Sequence, residues 1–337
     1  TTPIYRFRIP KDDGSESGEL KEIIIDVTGS APPFTEPSDA LKEVLQEVFK
    51  SDSLKKVETV LEFGAGKLKN ISYLLKQGKT VCAVEFKELC ENSFTKKNLK
   101  KCEKYGTKFH KLLFPNPFLS DSKKFDLALL LNVPSVMPVL AERLYLLETL
   151  HGKINDGKYL LWVAQKEGSY KKIREDGKNN CGDGLWMGKG RYFKTFYKYH
   201  QVEELDELMA LYGFKLIKRF NVGDDARLYE KTSHTLFTGL VTPQKIMEQI
   251  PVDDSIKDPS SPDPKIMKRN SKIKMITPNP KALSIESLYV EKIKGIPKGQ
   301  DAEEYHRVVS YAIGRIFRGS LRNMDIKVNI DGGIKII

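Results

Sequence analysis

Val57-Glu58-Thr59-Val60-Leu61-Glu62-Phe63-Gly64-Ala65-Gly66-Lys67 is the stretch on which the fold turns. A β-branched, apolar run ends in an acidic residue and a Gly-x-Gly turn. Leu68, Ile71, Leu74 and Leu75 then repeat at helical spacing, with Gly78 placed as the C-terminal stop. The next apolar run, Thr80-Val81-Cys82-Ala83-Val84, ends in Glu85. Strand, glycine turn, helix and a second strand with an acidic tip make the opening βαβ unit of a nucleotide-binding sheet. Gly64 and Gly66 let the backbone pass close to a ligand. A carboxylate about 20 residues further on is placed to accept from both hydroxyls of a ribose.

Working outward, the pattern repeats. A polar helix is expected over roughly residues 89–105, then a third strand, Lys108 to Leu113, and a Phe114-Pro115-Asn116-Pro117 loop. Phe125-Asp126-Leu127-Ala128-Leu129-Leu130-Leu131 is nearly continuous in apolar residues, as a central parallel strand buried on both faces must be. It ends in Asn132-Val133-Pro134-Ser135. A helix through Leu140, Leu144 and Leu147 follows, then a turn at Asn155-Asp156-Gly157 and a fifth strand over Tyr159-Leu160-Leu161-Trp162-Val163. After the helix of Val202, Leu205, Leu208 and Met209, two closing strands, Phe214 to Phe220 and Ala226 to Glu230, complete a set of seven. Such alternation implies parallel strands with right-handed crossovers.

Upstream of the first core strand, Tyr5 to Ile9 and Glu22 to Val27 read as a hairpin. A helix follows through Leu41, Val44, Leu45 and Val48, with Thr35 or Ser38 as its cap. The segment 166–199 is a basic, aromatic, glycine-broken insertion. Residues 241–280 carry the Pro, Asp, Ser and Lys of a linker. A smaller unit is then expected, with a helix through Tyr305, Val308, Val309, Ala312 and Ile316 and two strands around Asp331-Gly332-Gly333. The organisation is therefore residues 1–34 as a hairpin extension, 35–240 as the main domain with its insertion, 241–280 as linker and 281–337 as an incomplete α+β module. The chain does not begin with Met and stops inside an apolar run, and reads as a piece of a longer protein.

Composition sets the outer bounds. The 337 residues are 40% hydrophobic and 30% charged, a globular balance. No apolar run approaches the ~18 residues of a membrane span, and the N-terminal residues do not form a signal peptide. Cys82, Cys90, Cys102 and Cys181 lack metal or disulfide spacing, and the five histidines are scattered, so no metal is expected and the compartment reads as reducing and cytoplasmic. The net charge is +11, with +5 in residues 166–198 and +7 in 265–298. Charge concentrated in this way suits a polyanion, because counterion release rewards phosphate contact. A homo-oligomer is left open.

The Glu62-Phe63-Gly64-Ala65-Gly66 motif followed by Glu85 resembles that of class I S-adenosylmethionine-dependent methyltransferases. The resemblance implies a seven-stranded Rossmann-like methyltransferase sheet with helices on both faces, followed here by the small α+β module beyond the linker. It implies S-adenosylmethionine as cofactor, held by Glu62, Gly64, Gly66, Glu85, Phe86, Phe114 and Asn132. Glu85 would take the ribose diol, Phe86 and Phe114 would lie at the adenine, and Asn132 would be the catalytic residue facing methyl transfer. Lys67 stands where a third glycine is usual.

DNA amino-methyltransferases carry (Asp/Asn)-Pro-Pro-aromatic at the fourth strand tip. Here Asn132-Val133-Pro134-Ser135 lacks the aromatic, and no Pro-Cys nucleophile is present. Leu131 to Pro138 and the Gly182-Asp183-Gly184 insertion are similar to methyltransferases associated with DNA phosphorothioation and restriction systems. The C-terminal piece resembles the start of a restriction-endonuclease-like domain, with Glu303 or Glu304 on its helix. Aromatic and basic residues of the insertion suit stacking on bases while holding phosphates. The expected nucleic-acid contacts are Lys189, Arg191, Tyr192, Phe193 and Lys194, with Lys268, Arg269 and Lys272 of the linker. The resulting expectation is a nucleic-acid methyltransferase, acting on DNA in a restriction or phage-defence setting. A non-catalytic S-adenosylmethionine sensor regulating an attached nuclease, and an RNA or small-molecule methyltransferase, are the alternatives.

Overall fold

The structure, a computed structural model, describes residues 4–10, 20–30, 36–52, 54–166, 168, 170–176, 179–188, 193–222, 224–233, 237, 239–240, 274–276, 284–297 and 302–316. The chain begins with strands β1 (Ile4–Pro10) and β2 (Leu20–Asp26) and helix α1 (Asp39–Lys50). The core then alternates β3 (Thr59–Phe63), α2 (Lys69–Lys76), β4 (Thr80–Phe86), α3 (Lys87–Cys90), α4 (Ser93–Glu103), β5 (Phe109–Phe114) and β6 (Phe125–Leu131). It continues through α5 (Val133–Val136), α6 (Leu140–Lys153) and β7 (Ile154–Ala164). The insertion holds α7 (Tyr170–Asp176), β8 (Asn180–Cys181), β9 (Gly184–Met187) and β10 (Phe193–Tyr197). The last elements are α8 (Val202–Leu211), β11 (Phe214–Val222), β12 (Asp224–Lys231), β13 (Lys274–Ile276), α9 (Ile285–Gly295) and α10 (Ala302–Ile316).

Seven strands form the main sheet in the order β11-β12-β7-β6-β3-β4-β5. β5, β4, β3, β6 and β7 run parallel, whereas β12 is antiparallel to both β7 and β11. From β3 the chain builds outward to β4 and β5, then returns to place β6 on the other side of β3. The strand order therefore reverses between β3 and β6, and that is where such a sheet opens a crevice at its carboxyl ends.

The two sheet faces bury alternate residues, as a period of two requires. Leu61, Phe63, Cys82, Val84, Ala128, Leu130, Leu160 and Trp162 share one core with Leu144 and Leu147 of α6 and Leu205, Leu208 and Met209 of α8. Val60, Val81, Ala83, Leu127, Leu129 and Leu161 share the other with Val44, Leu45 and Val48 of α1 and Ile71, Leu74 and Leu75 of α2. Helices thus cover both faces. Ser38 caps α1, its hydroxyl accepting from Leu41 N at 3.3 Å.

Three local expectations are revised. The helix expected over 89–105 is two helices, α3 and α4, with Asn92 capping the second. Asn155-Asp156-Gly157 is not a turn between elements. It lies inside β7, where the pairing with β6 shifts register and Gly157 takes φ +65°.

The third revision concerns the ends of the chain. The N-terminal hairpin and the insertion belong to one second sheet, β13-β1-β2-β10-β9-β8. β2 and β10 pair in parallel, Ile24 opposite Phe193 and Ile25 opposite Lys194. Tyr5, Phe7, Ile23 and Ile25 pack into the core of α6 and Trp162, and the Tyr5 hydroxyl donates to the buried Glu142 carboxylate of α6 at 2.5 Å. Helix α9 joins the same core through Ile285, Leu288 and Tyr289, whose hydroxyl donates to Glu207 of α8 at 3.0 Å. The strands expected around 325–337, the cap candidate Thr35 and most of 241–280 lie outside the described residues.

Candidate functional site

The glycine turn folds back over the end of β4. Gly64 N and Ala65 N both donate to Val84 O, at 2.9 and 3.1 Å. Gly64, Gly66 and Leu68 take left-handed φ values of +72°, +56° and +62°, which for the first two explains the residue type. A Cβ on Gly64 would also collide with the side chain of Val133. The glycine thus lets the first residue of α5 approach, at the point where strand order reverses.

Glu85 closes the turn from the far side. One carboxylate oxygen accepts from Gly66 N at 2.6 Å and the other from Phe86 N at 2.8 Å. It is 6% exposed. Burial pushes its pKa up to about 7, although the Phe86 and Gly66 amides pull the other way. Each oxygen keeps further lone-pair capacity, so the group can also accept from a diol.

Glu62, at 1% exposure, is bound within the chain: Asn70 of α2 donates to it at 2.5 Å, and its second oxygen has no partner among the described residues. Burial pushes it up to about 8, against the pull of Asn70. It brackets the two ends of the glycine loop, strand and helix, and leaves one oxygen over.

Phe86 and Phe114 meet edge to face at 5.7 Å, and Phe114 meets Phe63 at 5.2 Å. Phe118 completes an aromatic cluster at the tips of β3, β4 and β5. Asn132 follows β6 with φ +60°, its N donating to Val163 O at 2.8 Å. Its side-chain oxygen is buried without a partner among the described residues. Glu62, Gly64, Gly66, Glu85, Phe86, Phe114 and Asn132 are therefore carried on the adjoining ends of β3, β4, β5 and β6. The donor set fits an adenosyl sulfonium ligand. A glycine turn permits close approach, a buried carboxylate can accept from ribose, and aromatic rings can face a base. An unpaired amide oxygen remains beside the crevice.

The expected nucleic-acid residues are placed less fully. Lys189, Arg191, Tyr192, Lys268, Arg269 and Lys272 lie outside the described residues. Phe193 pairs through its backbone with Ile24. Lys194 donates to Gly188 O at 3.0 Å and lies over the Trp186 ring at 5.1 Å. Phe196 and Tyr197 are buried in the core.

Sequence reasoning missed an ionic chain behind the crevice. Arg143, 2% exposed, donates to Met137 O at 2.6 Å and to the Asp183 carboxylate. Asp183 lies 3.5 Å from Lys198, which lies 3.4 Å from Glu204. His200 sits beside it, edge-on to Trp162 at 5.4 Å, pushed down to about 3 by burial with Arg143 and Lys198 adding to the effect. The Ser135 hydroxyl is buried there without a partner among the described residues. Only the Gly182-Asp183-Gly184 turn had signalled any of this.

Among the described residues no group of His, Cys, Asp and Glu could hold a metal, and no helix is long and apolar enough to cross a membrane. No family model and no curated protein matches the sequence. Several solved structures are similar to the chain. One is a Methanosarcina mazei S-adenosylmethionine-dependent methyltransferase, 15% identical over 57% of this chain and 98% of its own, with a TM-score of 0.44. Another is the 1,6-didemethyltoxoflavin-N1-methyltransferase of Burkholderia thailandensis with bound S-adenosylhomocysteine, 16% identical over 58% and 79%, TM-score 0.41. The magnesium protoporphyrin IX methyltransferase of Synechocystis, also with bound S-adenosylhomocysteine, is 15% identical over 58% and 82%, TM-score 0.41. The likeness is one of fold only.

Proposed function

We propose that the main domain binds S-adenosylmethionine at the carboxyl ends of β3, β4 and β6 and transfers its methyl group to DNA. The observation that carries the cofactor reading is the joint placement of the Gly64-Gly66 turn and the buried Glu85 carboxylate at the reversal of strand order. The cofactor supplies an electrophilic methyl on a sulfonium. The chain's own work is then to position: Glu85 holds the ribose, Phe86 and Phe114 lie together at the base, and the Asn132 amide oxygen accepts a hydrogen bond from the acceptor's amino group. Positioning of this kind accounts for much of the rate in such transfers, since an in-line approach needs little covalent help.

The DNA target rests on the charge of +11 and on the resemblance of the Asn132 and Asp183 segments to restriction-associated methyltransferases. That resemblance also suggests a defence setting. The test is transfer of labelled methyl from S-adenosylmethionine to unmethylated plasmid DNA, with total RNA in parallel. Label in DNA, lost in Asn132→Ala, is the expected result. Label in RNA alone would move the target, and label in neither would remove the reading.

One observation favours a second reading, a cofactor-binding sensor. Ser135 is buried at the position where base methyltransferases hold an aromatic for the flipped base. Donor binding without transfer to any nucleic acid would decide for the sensor.

A further inference from the structure

We infer that the outer face of α4 is a docking ridge for the phosphate backbone of a nucleic-acid duplex. Lys96, Lys97, Lys100, Lys101 and Lys104 are all exposed. At 3.6 residues per turn they occupy an arc of about 140° and a length of about 12 Å. Thr95 and Cys102, the buried residues of the helix, lie on the opposite side. Among the described residues none of the five lysines forms an ion pair, and Glu103 stands at the edge of the arc. Like charges at i and i+4 (96 with 100, 97 with 101, 100 with 104) disfavour an isolated helix, whereas the helix dipole favours Lys100, Lys101 and Lys104 at its C-terminal end, so folding alone does not account for the full row.

A duplex presents one negative charge per ~1.7 Å of its axis, so the ridge spans enough phosphates to engage all five lysines. An anionic membrane suits it poorly. Surface-seeking helices bury an apolar face in lipid, and the apolar side of α4 is already buried against the protein. The ridge is braced on the candidate site, because Asn98 donates to Lys67 O in the glycine turn at 2.8 Å. None of these five lysines belongs to the insertion or the linker considered above. The ridge shares with the proposed function only the nucleic-acid partner.

The experiment is fluorescence anisotropy of a labelled 20-base-pair duplex titrated with the full chain, in NaCl from 50 to 200 mM. The chain is compared with Lys96→Gln/Lys97→Gln/Lys100→Gln/Lys101→Gln/Lys104→Gln. A matched control is Lys50→Gln/Lys76→Gln/Lys123→Gln/Lys124→Gln/Lys215→Gln, five exposed lysines scattered elsewhere. Far-UV circular dichroism verifies that both variants fold. At about −0.9 log units per phosphate contact, the ridge variant should lose about 4.5 from the log–log salt slope. In affinity terms, the ridge's share of the loss over that fourfold salt range is about 500-fold in the native chain and vanishes in the variant. The control should keep the native slope.

Equal slope losses in both variants would reduce the effect to diffuse net charge and overturn the ridge. A native slope in the ridge variant would overturn it while leaving the nucleic-acid reading intact. No duplex binding by the native chain would overturn both. Displacement of bound duplex by phosphatidylserine vesicles, dependent on the same five lysines, would assign the ridge to membranes instead.

Discussion

Glu62 shows how much a single buried carboxyl decides. Its folded pKa, about 8, stands above the ordinary value of 4.5. A raised carboxyl contributes stability that is complete below pH 4.5 and is lost as pH climbs toward 8, at up to about 1.4 kcal/mol per pH unit. Glu62→Gln removes that titration. Its melting temperature should match the native chain near pH 4.5 and exceed it above pH 8. Equal pH profiles for the two proteins would contradict the burial argument. Gly64 is tested by alanine, which adopts φ +72° at a cost of about 1–2 kcal/mol and must displace Val133 as well. Chemical denaturation of Gly64→Ala should lose at least that much; an unchanged midpoint would mean the turn is not held as described.

At the scale of elements, the Arg143–Asp183 pair ties α6 to the β8–β9 turn, and Lys198 extends the tie towards α8. Burial raises the Asp183 carboxyl, but Arg143 and Lys198 outweigh it and hold the group below its usual value. Asp183→Asn leaves Arg143 buried with its charge unmatched. A fully buried pair loses about 3–5 kcal/mol when broken. The loss here should be smaller, because the Asp183 side chain is 39% exposed. Amide exchange should accelerate in β8, β9 and β10 of this variant and hold steady in β3 and β4. Uniform acceleration would show that the tie is not local.

The seven core strands could be read from period and punctuation because each is a local pattern: β6 is apolar but for Asp126, β3 runs into Gly64, and β4 carries Glu85 next to its last residue. The second sheet could not, because it depends on β2 meeting β10 across more than 160 residues with two paired positions. Alternation says that a strand exists, not which distant strand it joins. The Phe63–Phe114–Phe118 cluster was hidden for the same reason. The glycine turn and the acidic strand tips were legible, since glycines at positive φ and carboxylates at strand ends are written in residue type.

For the whole molecule, the proposed function reduces to donor recognition at the reversal of strand order, with Glu85 as its acceptor of ribose hydroxyls. Hydroxyl donors bind the ionised carboxylate, and in the free protein that group titrates at about 7. Affinity should therefore rise with pH, by up to about tenfold per unit below pH 7, and level off above it. The direct measurement is isothermal calorimetry of S-adenosylhomocysteine with the native chain and Glu85→Gln, from pH 5.5 to 8.5. One-to-one binding that strengthens to a plateau in the native chain, and is weak and pH-independent in Glu85→Gln, is the predicted result. Absence of binding at every pH, or the same profile in both proteins, would contradict the account.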